Sequence, residues 1–364
     1  MATPTNIFVD PAINANSGTG TLGDPYGDLQ YALNTTTRDA ANGDQFNIKA
    51  GAYEVLSASL TYTGTYGNPG STSPLIFRGY TSAANDGGKG QFDFGGGAYL
   101  FSAVDAYVRW VDCEFKNATG YFIDVSNTGS FASSCIFHDT TGTAVNNSES
   151  QGSGVYGCTF YDCSYGSDYG NVYASRFYNG SIRDFITAIN FNVHGSAVVD
   201  CNTFQLDGAS NAIFAKNYAM LKNNSIYGGG STGYGIKHDY TIGLHITNNL
   251  ITGFSGSGGK GISVTGGTTE RGMFANNSFY DNESDYDSFD AALTDSNESL
   301  GSDPFADAST GDFTPQDVGN VIGGAFPASI GSQLVNLNRG AIQSAGGSSL
   351  FPFASQPINW RGDD

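Results

Sequence analysis

Between residues 108 and 282 one arrangement of apolar and polar positions returns eight times. It starts with apolar or small residues, continues with Cys or Asn and a variable residue, and closes on a large apolar one. The copies read VRWVDCEF, FASSCIF, VYGCTF, VYASRF, VVDCNTF, MLKNNSI, HITNNLI and MFANNSF. Their closing anchors are Phe115, Phe137, Phe160, Phe177, Phe204, Ile226, Ile251 and Phe279, spaced 22, 23, 17, 27, 22, 25 and 28 residues apart. Alternation within each copy is the period of a strand. Gly, Ser, Asn, Asp and Thr fill the gaps with turn chemistry. No gap carries a convincing amphipathic helix, which argues against a leucine-rich horseshoe. A repeat of this length is one unit of a solenoid, unable to bury its apolar face alone. The pattern therefore predicts an all-β chain wound into a parallel β-helix of about 23 residues per coil. Equivalent positions then stack about 4.8 Å apart. Cys113, Cys135 and Cys158 are expected in one inward column, with Phe115, Phe137, Phe160, Phe177 and Phe204 as an aromatic stack beside it. Asn224, Asn249 and Asn277 are expected to align next, with Asn202 one place out of line, their amides bonded along the axis.

The flanks read differently. Residues 6–26 read as a short strand and a Gly/Asn loop. Residues 28–41 suit a helix, with Leu29, Ala32 and Leu33 on one face, Asp28 at its start and Asn42-Gly43 at its end. Phe46 and Ile48 then alternate with polar neighbours in the first coil, 43–55. A helix placed there covers the open end of the solenoid, where bare strands invite further pairing. LIFRGY (75–80) and AYLFSAV (98–104) read as strands, and TGTYGNPGSTSP and TSAANDGGKG as loops. Four segments result: 1–42 with the cap, 43–282 as the β-helix, 283–343 as an acidic irregular segment with terminal strands, and 344–364 as a Gly/Ser linker with an apolar tail.

The opening order FVDP, GDPYGDLQYAL and NGDQFNIKAGAYE resembles the entry segment of right-handed parallel β-helix proteins of the pectin-lyase-like superfamily. SDPFADASTGDFTPQ (302–316), GNVIGGAFP and NRGAIQ (338–343) resemble the closing segment of the same group. The resemblance spans residues 6–343 and implies right-handed winding, the usual hand of parallel crossovers. That superfamily includes polysaccharide lyases, glycoside hydrolases, phage tail spikes and other virion appendages, so fold alone does not fix activity.

Composition narrows the partners. Gly supplies 51 of 364 residues, about twice the usual share, and suits tight coils. The 21 Tyr and 25 Phe give aromatic bulk for a long core. Charged residues are only 13% and the net charge is −19, so the surface repels nucleic acid and anionic membranes. Residues 281–317 hold eleven acidic side chains and no Lys or Arg. No apolar run is long enough for a membrane-spanning helix. MATPTNIFVD lacks the basic and apolar regions of a signal peptide, which points to synthesis in the host cytoplasm. Five Cys is an odd number, and Cys158 and Cys163 lack a zinc or thioredoxin spacing; with Cys201 they read as buried free thiols.

Candidate chemistry is sparse. Glycosidases pair carboxylates, and neighbouring coils bring such pairs together without a motif. Asp139, Asp162, Asp168, Asp184 and Asp200 are the candidates, against the plainer role of turn residues. By resemblance, a lyase uses clustered acids for calcium and an Arg or Lys as base, but Arg109, Arg176 and Arg183 sit in no lyase motif. The run 281–298 has the oxygens calcium wants but not an EF-hand pattern, so a solvated loop is the competing reading. His138, His194, His238 and His245 are scattered; His238 and His245 are placed for adjacent strands. Arg361-Gly362-Asp363 spells an integrin-type tripeptide, set aside as a short match. Tyr161, Tyr165, Tyr169, Tyr173 and Tyr178 suit either stacking on sugars or packing between coils.

No catalytic, cofactor or metal residue is assigned from sequence. The expected function is a virion structural protein of a bacteriophage, a surface appendage or capsid decoration, with a polysaccharide as a possible ligand. Expected partners are two further copies in a homotrimer and other virion proteins, with no nucleic acid and no membrane insertion. The alternative is a carbohydrate-active enzyme, a lyase or glycoside hydrolase, which requires converging carboxylates in a groove. A third reading is a bacterial surface adhesin.

Overall fold

The computed structural model describes residues 3–13, 16–37, 39–60, 70–97, 107–125, 127–147, 153–168, 170–178, 187–190, 197–208, 210–215, 219–238, 244–265, 269–286, 291–319, 321, 328–330 and 333–335. The expected strand 98–104, Asp184, Arg183, His194, Tyr169 and the whole 344–364 segment lie outside the described residues.

Each repeated phrase is two short strands, not one. A single residue with positive φ hinges them: Asp112, Ser134, Gly157, Ala174, Cys201, Asn223, Asn248, Asn276 and Ser296, at +49° to +59°. Left-handed backbone turns the chain sharply, and Gly, Asn and Asp meet that demand most easily. The strands before the hinge form a twelve-stranded parallel sheet, from Thr5–Val9 and Asp44–Lys49 through Val108–Val111 to Ala291–Asp295. Those after it, including Tyr53–Val55, Gly90–Asp93, Cys113–Ala118 and Arg176–Tyr178, form a second face. Ile136–Asn147 and Thr159–Asp168 then bend, at Asp139 and Asp162 with φ of 57° and 50°, onto a third face. That face continues through Thr187–Asn190, Asn211–Ala215, Tyr234–His238 and Lys260–Val264, all paired in parallel. The chain is a three-faced parallel β-solenoid. Sequence periodicity missed most third-face strands, because they are three to five residues long and sit among turn formers.

The interior is a set of columns. Phe92, Phe115, Phe137, Phe160, Phe177 and Phe204 stack with centroids 5.1, 5.1, 4.9, 4.6 and 4.9 Å apart. Ile7, Phe46, Phe77 and Trp110 begin the first-face column, and Ile189, Ile213, Ile236 and Ile262 line the third. Beside the hinge runs Cys113, Cys135, Cys158, Ser175, Asn202, Asn224, Asn249, Asn277 and Asn297. The sharp turn pulls a backbone N–H out of the sheet ladder, and the side chain one coil onward accepts it. Asn202, Asn224, Asn249 and Asn277 each donate their N–H to the next Oδ1, at 3.0–3.1 Å. Their amides also donate to the next Oδ1 at 2.9–3.1 Å. The buried amides of Asn202, Asn224, Asn249 and Asn277 are thus paired, as burial requires. Asn202 is in line with the others, correcting the offset expected from sequence: Cys201 occupies the hinge instead of the ladder. Four Cys are buried, Cys201 is half-buried, and all five are free thiols.

The capping helix α1 is shorter than expected, Leu29–Thr35, not 28–41. Asp28 caps its first turn by accepting from the Tyr31 N–H, and Leu29, Ala32 and Leu33 are buried. The run Thr35-Thr36-Thr37 has low helix propensity. Beyond it Asp39 accepts from the N–H groups of Ala41 and Asn42, making a turn. Among the described residues no helix is long and apolar enough to cross a membrane.

Candidate functional site

Outward positions on the second face flank each anchor by one residue. One column runs Tyr53, Gln91, Glu114, Ile136, Thr159, Arg176 and Thr203. The other runs Val55, Asp93, Lys116, His138, Tyr161, Tyr178 and Gln205. Chemistry concentrates where the two columns pass Glu114. Its carboxylate accepts from the Tyr53 hydroxyl at 2.7 Å and the Gln91 amide at 2.9 Å, and lies 3.2 Å from His138 Nε2. The other ring nitrogen, Nδ1, lies 2.9 Å from Asp139 Oδ2. Lys116 Nζ is 3.4 Å from Asp93 and 3.6 Å from the Tyr53 ring centre. Asn117 also donates to Asp93, at 3.0 Å.

These contacts set the charges. Burial disfavours the Glu114 anion, yet hydrogen bonds from Tyr53, Gln91 and His138 outweigh it and hold the carboxyl below its ordinary value. Asp93 is likewise held down against its burial, by the Gly95 N–H, Asn117 and Lys116. Burial and the Glu114 carboxylate push the Tyr53 phenol up. Tyr161 rises to about 12, from burial first and then Tyr178 and nearby carboxylates. The stripe is a line of ionised carboxylates and protonated phenols.

The tyrosines do not offer their faces. His138, Tyr161 and Tyr178 are stacked, at 4.6 and 5.2 Å, so each ring covers the next. Arg176 lies over Tyr178 at 4.8 Å. Tyr173 stacks on Tyr156 on the first face at 5.2 Å, and Tyr165 lies on the third face. Packing between coils is the observed role of Tyr161, Tyr173 and Tyr178.

Of the candidate carboxylates, Asp139 and Asp162 come together on adjacent coils beside this cluster, both as left-handed turn residues. Asp168 lies on the third face, accepting from Tyr121 at 3.0 Å and Thr143 at 3.1 Å. Asp200 ends a first-face strand and pairs with Lys222 at 3.1 Å. Arg109 projects from the first face over Phe131. His238 and His245 are not on adjacent strands: the first pairs with Ala215 and Val264 on the third face, the second with Met220 and Met273 on the first. Among the described residues no group of three or more His, Cys, Asp or Glu is placed to hold a metal ion. Within 281–317, Phe305–Asp307 and Asp312–Pro315 form a small antiparallel pair. Sequence reading missed Tyr53, Asp93, Glu114 and Lys116. The signal available was position: Glu114 and Lys116 stand immediately before and after the anchor Phe115.

No protein-family model matches the chain, and no curated protein matches it. Three solved structures align over most of it, each with a TM-score of 0.46. One is pectate lyase Pel9A, at 15% identity over 94% of this chain and 97% of that one. Another is a mannuronic acid specific polysaccharide family 6 lyase from human gut microbiota, at 13% over 75% and 80%. The third is a rhamnogalacturonan lyase, at 11% over 83% and 90%. Scores this low carry no argument about reaction or ligand; the solenoid assignment rests on the strand pairing itself.

Proposed function

We propose that the chain binds a neutral polysaccharide along the outer stripe from Tyr53 to Tyr178. The observation that carries this reading is the convergence of phenol, carboxylate, amide, imidazole and ammonium groups on one outward face, drawn from successive coils. Sugar hydroxyls both donate and accept, and such a mixed row of donors and acceptors matches them. Glu114, Asp93 and Asp139 adjoin the row, Lys116 is already committed to Asp93, and the chain carries a net charge of −19. A polyuronate therefore meets repulsion where a neutral chain does not. The setting we propose for this binding is the surface of a bacteriophage particle, where a homotrimer held by other virion proteins would multiply weak contacts. Immunogold labelling of purified particles tests that setting.

Affinity electrophoresis against neutral polysaccharides and a polyuronate tests the binding. The expected result is retardation in neutral gels only, with Glu114→Gln weakening binding about tenfold, or about 1.4 kcal/mol. Equal retardation of Glu114→Gln and the parent, or preference for the polyuronate, contradicts the reading.

One observation favours a second reading, glycan cleavage: His138 stands between the carboxylates of Glu114 and Asp139, the side-chain types of general acid–base chemistry. Both ring nitrogens are engaged by those carboxylates, which leaves neither facing a substrate. Release of new chain ends from a neutral polysaccharide, lost in His138→Ala, would establish cleavage instead of binding alone.

A further inference from the structure

Among the described residues no segment lies over the stripe at the coils of Tyr53, Gln91, Glu114, His138, Tyr161 and Tyr178, and one does beyond them. From Gln205 onward the same outward columns lie under the described residues 300–319 and Val321. Gln205 Nε2 donates to the Ser309 carbonyl at 2.7 Å. Phe305, Ala308, Phe313 and Val321 bury themselves against Leu250, with Tyr227 at the margin. Leu250 and Tyr227 belong to the two columns that carry Glu114 and His138 further up the solenoid. The turn that meets the open part is Ala308–Thr310, closed by Gly311 in a left-handed conformation at φ 86°. A Cβ on Gly311 would lie 2.5 Å from Arg176 Nη2 and 3.1 Å from Gln205 Oε1, so the turn stands directly against the last open coil. Asp307 and Asp312 flank the turn, both exposed and both held below the ordinary carboxylate value by hydrogen bonds, from Ser309 and Thr310 for the first and Thr314 for the second. Arg176, exposed, is the cation at this corner.

We infer that the stripe receives the end of a glycan chain and not its middle. This rests on the glycan-binding reading above. A linear chain lying along the columns runs into the 307–312 turn, and its terminal sugar is left against Arg176, Gln205 and the carboxylates of Asp307 and Asp312. Donor and acceptors together suit the additional hydroxyl that a terminal sugar carries in place of a glycosidic bond. A chain interior has no way past the wall, because Phe305, Ala308, Phe313 and Val321 pack it onto the sheet as buried apolar side chains.

The test is the number of protein molecules bound per polysaccharide chain, by sedimentation velocity on length-fractionated neutral oligosaccharides of the type retained in the gels. End recognition predicts one protein per chain at every length. It also predicts that blocking one terminus, either by borohydride reduction of the reducing end or by methylation of the non-reducing sugar, weakens binding at least tenfold, while the other block has no effect. A ratio that grows with chain length, still sensitive to Glu114→Gln, overturns end recognition and leaves glycan binding standing. Indifference to both blocks overturns it as well. Absence of binding to every oligosaccharide and polymer overturns both.

Discussion

Ser167 points into the third-face core, where Val145 and Ile189 occupy the same column on adjacent coils. It is fully buried, and its hydroxyl has no hydrogen-bond partner among the described residues. A buried hydroxyl without a partner is costly, and an apolar side chain of similar size is not. Ser167→Val is expected to stabilise the chain by about 1–2 kcal/mol in denaturant titration; a loss of stability would show that the column lacks room for the second methyl. Residues of this kind are hard to read in advance. The Asn ladder was legible because Asn224, Asn249 and Asn277 each stand two places before an apolar anchor. Ser167 stands in YDCSYGSDYG, where nothing local separates an inward serine from a turn serine. Asn202 was legible by the same rule, two places before Phe204, whereas Cys201 stands three places before it and takes the hinge.

At the scale of the element, Glu54 interrupts an otherwise apolar column. Its strand, Tyr53–Val55, pairs with Gly90–Asp93 so that Glu54 sits opposite Phe92 at the head of the Phe stack. The carboxylate accepts from the Leu29 N–H at 3.2 Å, tying the first coil to α1. Burial raises its pKa from 4.5 to about 7, offset in part by that N–H. Between those values the unfolded chain has released the proton while the folded chain still holds it. This group's contribution is therefore favourable below pH 4.5, declines as pH rises towards 7, and is flat above. The full swing is on the order of 3 kcal/mol. Glu54→Gln removes that slope, so its stability relative to the parent should rise across the interval, to about 1–3 kcal/mol at pH 8. Melting curves from pH 4 to 8 check it, and a difference that does not change with pH refutes it. Element lengths were the least legible feature. The repeated phrase looks like one strand because its alternation continues across the hinge, and α1 looks longer than it is because Asn42-Gly43 is a plausible stop.

At the scale of the molecule, the winding does what no local motif can. Tyr53, Asp93, Glu114, His138, Tyr161 and Tyr178 are far apart in sequence and share one outward stripe because each coil returns to the same register. The fold was legible from eight spaced phrases, since spacing and residue type together specify stacking. The stripe was not, since it consists of the polar residues beside the anchors, which look like ordinary strand surface until the columns are aligned. The most direct test is carbodiimide labelling of carboxylates, read by mass spectrometry, with and without a saturating neutral polysaccharide. The account predicts reduced labelling of Asp93, Glu114 and Asp139 and no change at Asp124 on the third face or Asp200 on the first. Protection at Asp200 or Asp124 with none at Glu114 would place the ligand on another face and contradict it.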